Sequence, residues 1–179
     1  MDEEERLLNI SPPWLKEILV FGLETGCRRE EMLSLEWKDV APVKKSVTIR
    51  TGKTAERRVV PLTRRALEVI QQREQARSKV RPIMGDYVFT HPAGKKVNIH
   101  TLRWTFERYL ERAGIADFRF HDLRHTFASR LAQAWVDPYT IQKLMGHKSF
   151  STTQRYAHHY TESLRRGISA LDCVRQEKP

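Results

Sequence analysis

The chain has 179 residues, 40% hydrophobic and 30% charged, the balance of a globular domain that buries one sizeable core rather than of a disordered segment. Lys and Arg number 32 against 22 Asp and Glu, a formal net charge of +10, which favours a polyanionic partner such as DNA or RNA. No apolar run approaches the ~18 residues of a membrane span, the opening MDEEERLL lacks the basic start and apolar stretch of a secretory leader, and Cys27 and Cys173 are too few for a disulfide framework or an all-cysteine zinc site. A reducing cytosol, without membrane contact, fits these features.

The charge is uneven: residues 1–27 carry two basic and six acidic groups, residues 28–81 fifteen and seven. The excess is scattered over single Lys and Arg, as on a folded basic face. In chain order, the first expected helix opens with Ser11 as cap and Pro12 at its first position. Leu15, Ile18, Leu19 and Leu23 follow at helical spacing, and Gly26 stops it. A short helix over about 29–35 carries Met32 and Leu33. SVTIR, a turn-like TGKTAE and RRVVPL then read as a β-hairpin closed by Pro61. Thr63 caps a predicted helix over about 64–80, with Leu62 and Leu67 placed as a hydrophobic staple. Residues 87–89, YVF, suggest a third short strand, turned back toward Val97 by HPAG.

The rest reads as helical. One helix spans 101–113 and ends at Gly114; another spans 122–135 with Leu123, Phe127, Leu131 and Trp135 in a row. Asp137 and Pro138 start a third and Gly146 ends it, while Ser151 and Gln154 form a capping-box pair for a short fourth. Leu164, Ile168 and Leu171 make an apolar stripe within 161–175. The expected fold class is mainly α with a small antiparallel β-sheet, an α+β domain of about 3–160 with a tail over 161–179.

Several polar residues sit at the ends of these elements. Arg28 follows the stop of the first helix, Lys53 lies at the hairpin tip, His121 precedes a helix with Arg124 one turn on, His147 follows a glycine stop, and Tyr156 lies in the next helix. Each alone is unremarkable. In order, TGCR at 25–28, the hairpin lysine, HDLRH at 121–125, LMGH at 144–147 and TTQRYAH at 152–158 resemble the tyrosine recombinase (phage integrase) family, over about Glu3 to Leu171. Lys53 matches by its distance from Val60-Pro61, and Tyr156 by standing nine residues after His147.

The resemblance implies the family's catalytic-domain fold and site-specific DNA cleavage and rejoining through a 3′-phosphotyrosyl link. It assigns Arg28 and Arg124 to the scissile phosphate, Lys53 as general acid, His121 as base or phosphate ligand, His147 to a non-bridging oxygen and Tyr156 as nucleophile. Glu31 matches an acidic position that orients Arg28; the competing reading is a solvated surface carboxylate. The chemistry suits the residue types. A phenol of pKa ~10 needs help to attack phosphorus, and fixed guanidiniums suit charge on non-bridging oxygens. A lysine can protonate the leaving 5′-oxygen, and a histidine can take the phenol proton. The bond energy stays in the protein–DNA link, so no ATP, metal or other cofactor is expected.

Double-stranded DNA is the expected partner, with Lys95, Lys96, Arg103 and Arg119 as further candidate contacts. The resemblance implies that the family's upstream core-binding and arm-binding domains are absent from this chain. The expectation is a monomer alone, with tetrameric assembly on DNA belonging to the full-length protein. The C-terminal stripe either packs on its own domain or docks on a neighbouring subunit. Cys27 reads as a small buried hydrophobe. Three rivals remain. His121 and His125 at i and i+4, with Asp122, mimic a zinc helix, His158 and His159 being nominal third ligands. A basic DNA-binding module without catalysis would also explain the charge. Type IB topoisomerases share the chemistry.

Overall fold

Two prolines set the first break in the chain. In this computed structural model, which describes residues 2–51, 56–79 and 86–147 together with Ser149, Thr153 and Ile168, helix α1 spans Glu3–Ile10 and helix α2 spans Pro13–Thr25. The α1 helix was not foreseen. Ser11 ends it instead of opening the next: its N–H and hydroxyl both donate to the Leu7 carbonyl, the hydroxyl at 2.8 Å. Pro13, not Pro12, takes the first position of α2, where a missing N–H leaves no bond unmade. Gly26 terminates α2 in the left-handed conformation, φ 61°, as its sequence position predicts.

Two compact units divide the chain, residues 1–127 and 128–179. In the first, α2 is buried almost all round and supplies Leu15, Ile18, Leu19 and Phe21 to the core. Helix α3, Arg29–Leu33, follows, and then a single 3₁₀ turn, Trp37–Asp39. Strands β1 (Val40–Ala41), β2 (Ser46–Thr51) and β3 (Glu56–Pro61) form an antiparallel sheet in that order. The hairpin is as predicted; the two-residue β1 was not foreseen. Val47 pairs with Val60 and Ile49 with Arg58. Val47, Ile49 and Val60 are each at most 1% exposed, so this face of the sheet turns inward.

Helix α4, Arg64–Lys79, begins as expected, with Thr63 Oγ1 accepting from Ala66 N at 3.2 Å. Leu62 is buried and Leu67 packs against the core. The expected strand at 87–89 is absent. Tyr87 forms only an isolated bridge to Glu36, with Trp37 N donating to the Asp86 carbonyl and Val88 N to that of Leu35. Phe89 instead fills the core edge-on to Phe21 at 5.1 Å. Helix α5, Ile99–Ala113, starts two residues earlier than predicted because Asn98 caps it, and Gly114 ends it as predicted. Leu102, Phe106 and Leu110 form its buried stripe.

Helix α6, Asp122–Gln133, crosses the division between the units. It stops before Trp135, which is 37% exposed at φ 61°, so the predicted row is buried only at Leu123 and Phe127. In the second unit, α7 spans Pro138–Met145, with Asp137 as N-cap and Gly146 as left-handed stop, both as expected. Ala128, Ala132, Ile141 and Met145 are buried there. Ile168 is helical and 67% exposed. The expected helix opened by Ser151, and Leu164 and Leu171 of the stripe, lie outside the described residues. Among the described residues no helix is long and apolar enough to cross a membrane.

Candidate functional site

The left-handed stop at Gly26 brings a carbonyl and two arginines together. A Cβ at this position would lie 2.3 Å from Cδ1 of Phe127, so only glycine lets the turn meet α6 this closely. The Gly26 carbonyl accepts from Arg124 Nη1 at 2.5 Å, and Arg124 is 3% exposed. Two residues on, Arg28 is the N-cap of α3, its side chain about one third exposed. Burial, followed by the charge of Arg28, pushes the Arg124 guanidinium down to about 10; it is still a cation at neutral pH.

Glu31 lies at the centre of this arrangement. Its side chain is 5% exposed, so the surface-carboxylate reading is wrong. Oε2 accepts from Arg28 N at 2.8 Å and from Arg58 Nη2 at 2.7 Å; Oε1 accepts from Arg28 Nη1 at 2.9 Å and from Arg58 Nη1 at 2.8 Å. Burial pushes its pKa up, but the Arg58 and Arg28 bonds outweigh that and hold it below 4.5. Arg58, with an 11% exposed side chain, was missed in the sequence. The signal available was strand alternation, which puts it on the inward face with Val60.

His121 precedes α6, and its carbonyl accepts from Arg124 N and His125 N. The His121 and His125 rings meet edge to face at 4.9 Å. Burial first, then the charges of His125, Arg124 and Arg28, lower the His121 pKa below 6.5 against the opposing pull of Asp122. At pH 7 its ring is neutral and fit to take a proton.

Arg28, His121 and Arg124 line a cleft of about 510 Å³ together with Arg103, Arg119 and Phe106. Of the four additional basic candidates, the structure brings Arg103 and Arg119 to this cleft; Arg103 is paired with Glu107 at 2.8 Å. Lys95 and Lys96 do not line it. Lys95 is exposed, and Lys96 Nζ lies over the Tyr87 ring at 4.2 Å, beside a separate open groove. Cys27 lies between the arginines, 3% exposed, its thiol pushed up to about 11 by burial; it is the small buried group expected. Among the described residues no group of three or more His, Cys, Asp and Glu could hold a metal ion. His158 and His159 lie outside them.

In the second unit, His147 follows Gly146, and its Nδ1 lies 2.9 Å from Thr153 Oγ1. Its backbone N–H donates to the Gln142 carbonyl, and Gln142 Nε2 donates to the His147 carbonyl at 3.1 Å. The imidazole is therefore held at a fixed place at the end of α7. Lys53 and Tyr156 lie outside the described residues.

A mainly helical fold with a small antiparallel sheet and two arginines at a basic cleft is the architecture of a recombinase catalytic domain. The structure is similar to that of XerA recombinase, with TM-score 0.78 and 26% identity over 99% of this chain and 64% of that one. It is also similar to the catalytic domain of bacteriophage HP1 integrase, with TM-score 0.69 and 25% identity over 93% and 90%. Residues 1–163 match the phage integrase family, and the chain belongs to it. Relatives include the integrase of Salmonella phage P22, 33% identical over 91% of this chain and 45% of that protein. Tyrosine recombinase XerA of Thermococcus kodakarensis is 31% identical over 92% of this chain and 59% of its own length. The chain thus spans about half the length of the curated relatives it matches.

Proposed function

We propose that this chain is the catalytic domain of a site-specific tyrosine recombinase, which breaks and rejoins double-stranded DNA through a phosphotyrosyl intermediate. The observation that carries this reading is the convergence of Arg28 and buried Arg124 on one cleft, in a chain of the phage integrase family. The charges of Arg28 and Arg58 oppose that of Arg124 there, and the carboxylate of Glu31 supports it. A phosphodiester entering the cleft brings negative charge beside these guanidiniums, which suit charge-assisted bonds to its oxygens. Relatives of the same fold are recombinases in complex with DNA, XerH on its difH substrate among them.

In this reading Arg28 and Arg124 bind the non-bridging oxygens of the scissile phosphate and stabilise the charge that grows there in the pentacoordinate transition state. Tyr156 attacks phosphorus and the P–O5′ bond breaks. Neutral His121 takes the phenol proton, and Lys53 gives a proton to the departing 5′-oxygen. His147 donates to a non-bridging oxygen. Rejoining is the reverse: a 5′-hydroxyl attacks the phosphotyrosyl bond and Tyr156 leaves. Phosphodiester energy is kept throughout, so the cycle consumes no ATP. Arg103 and Arg119 extend the phosphate contact along the cleft. In the full-length protein, several copies assemble on DNA.

The test is covalent capture on nicked DNA in EDTA, resolved on a denaturing gel. Wild type forms an adduct and Tyr156→Phe forms none while still binding DNA. Persistence of the adduct in Tyr156→Phe overturns the nucleophile assignment. DNA binding that is insensitive to salt overturns the phosphate-lined cleft.

A further inference from the structure

We propose that Arg58 is a positioning residue for DNA cleavage: through Glu31 it fixes the guanidinium of Arg28 and ties it to the hairpin strand that leads from Lys53. The inference rests on the phosphate-binding role given to Arg28 above.

A carboxylate offers about four acceptor sites on its two oxygens. Arg58 fills one on each oxygen with a parallel fork, at 2.8 and 2.7 Å. Arg28 fills another on each with its backbone N–H and its Nη1, at 2.8 and 2.9 Å. The fork sets the plane of the carboxylate, because both bonds hold only when the two groups are coplanar. That plane then sets where Arg28 Nη1 must lie. Arg58 belongs to β3 and pairs across the sheet with Ile49, so its own backbone is fixed by the ladder. In the sequence, Lys53 stands three residues before Glu56, where β3 begins. One carboxylate therefore links the strand that follows the candidate acid to the arginine that holds the phosphate.

The partners also explain why Arg58 is buried rather than solvated. The charges of Arg58 and Arg124 both act on Cys27, and both Arg28 and Arg58 depress Arg124. Glu31 is shared between Arg58 and Arg28, and Arg124 donates to the Gly26 carbonyl. A lysine at position 58 keeps the charge but cannot form the fork, so the charge and the positioning separate experimentally.

The experiment compares wild type with Arg58→Lys in three readouts: DNA affinity, single-turnover adduct formation at saturating protein, and ¹⁵N side-chain spectra of Arg28. Arg58→Lys is expected to bind DNA within about threefold of wild type, yet to form adduct at least about tenfold more slowly, since small displacements at a reacting centre cost up to ~10²-fold. The Arg28 guanidinium signals are expected to shift and broaden. In an Arg28→Lys background the same change is expected to add little further loss, because both act through one group. Equal rates with unmoved Arg28 signals overturn the proposal, and so do losses that simply multiply. If Arg58→Lys is too unstable, Arg58→Gln, which leaves Glu31 and its bonds to Arg28 in place but cannot form the fork, carries the same comparison. Absence of any wild-type adduct overturns the functional reading instead, while the Arg28 spectra still decide whether Arg58 places it.

Discussion

Arg124 donates to the carbonyl of Gly26 at 2.5 Å, a bond that closes 98 residues of chain and joins the start of α6 to the stop of α2. A guanidinium has five donors. Spending one on a fixed carbonyl orients the group so that the others have defined directions. Both partners therefore matter to the cleft, although Gly26 has no side chain.

Gly26→Ala should damage fold and site together. The new Cβ meets Phe127 at 2.3 Å, and the backbone there has φ 61°. Left-handed strain and overpacking together should cost about 2–4 kcal/mol, read as a lowered urea midpoint. A loss below about 0.5 kcal/mol, the range of a neutral surface change, would show that the turn relaxes freely.

Arg124→Ala should slow adduct formation by about 10²–10³-fold, the usual result of deleting one donor from a site that stabilises developing charge. Single-turnover cleavage on nicked DNA measures it. Binding should weaken far less than cleavage, because the remaining phosphate contacts survive. Rates within tenfold of wild type count against the assigned role.

The acid limb of the cleavage rate should lie below pH 6.5. Burial, then His125, Arg124 and Arg28, all lower His121 from that value. The proton-accepting ring therefore persists as pH falls through 6.5 and is lost only at a lower pH. His125→Gln removes one of the lowering charges, so it should move the limb upward. A rate profile whose acid limb starts above 6.5, unmoved by His125→Gln, would remove His121 from the proton transfer.

Cys27 should resist thiol reagents in the folded protein. Its thiol is buried and held near 11, so little thiolate forms at pH 8. In a Cys173→Ser background, labelling should appear only with denaturant and track global unfolding. Rapid native labelling would show that the cleft opens to the level of Cys27.

What the sequence revealed follows from how locally each feature is determined. The stops at Gly26, Gly114 and Gly146 and the cap at Asp137 depend on a few adjacent residues, and all four are where the sequence places them. The α1 helix was missed because its acidic first turn hides only two buried residues, Leu7 and Leu8. Strand β1 is two residues long and exists only through its pairing with Val47 and Ser46. The YVF run has strand composition, but its pairing stops at an isolated bridge to Glu36, and Phe89 turns into the core instead. At the site, Arg28, His121 and Arg124 were legible as an ordered set of motifs. Arg58 was missed: strand alternation with Val60 marks its face, but its partner Glu31 is 27 positions away and nothing local names it.

The fork between Arg58 and Glu31 also bears on how the molecule responds to heat. Removing charged groups from water becomes less costly as temperature rises, whereas the gain from apolar burial levels off. The packing of Leu15, Phe21 and Phe89 thus gains little from warming, while the ionic joint beneath Arg28 carries a shrinking penalty. As the domain approaches its melting temperature, the corner around Arg28 should keep its alignment after the helical layers around it have begun to loosen, making it the last part of the first unit to lose its shape.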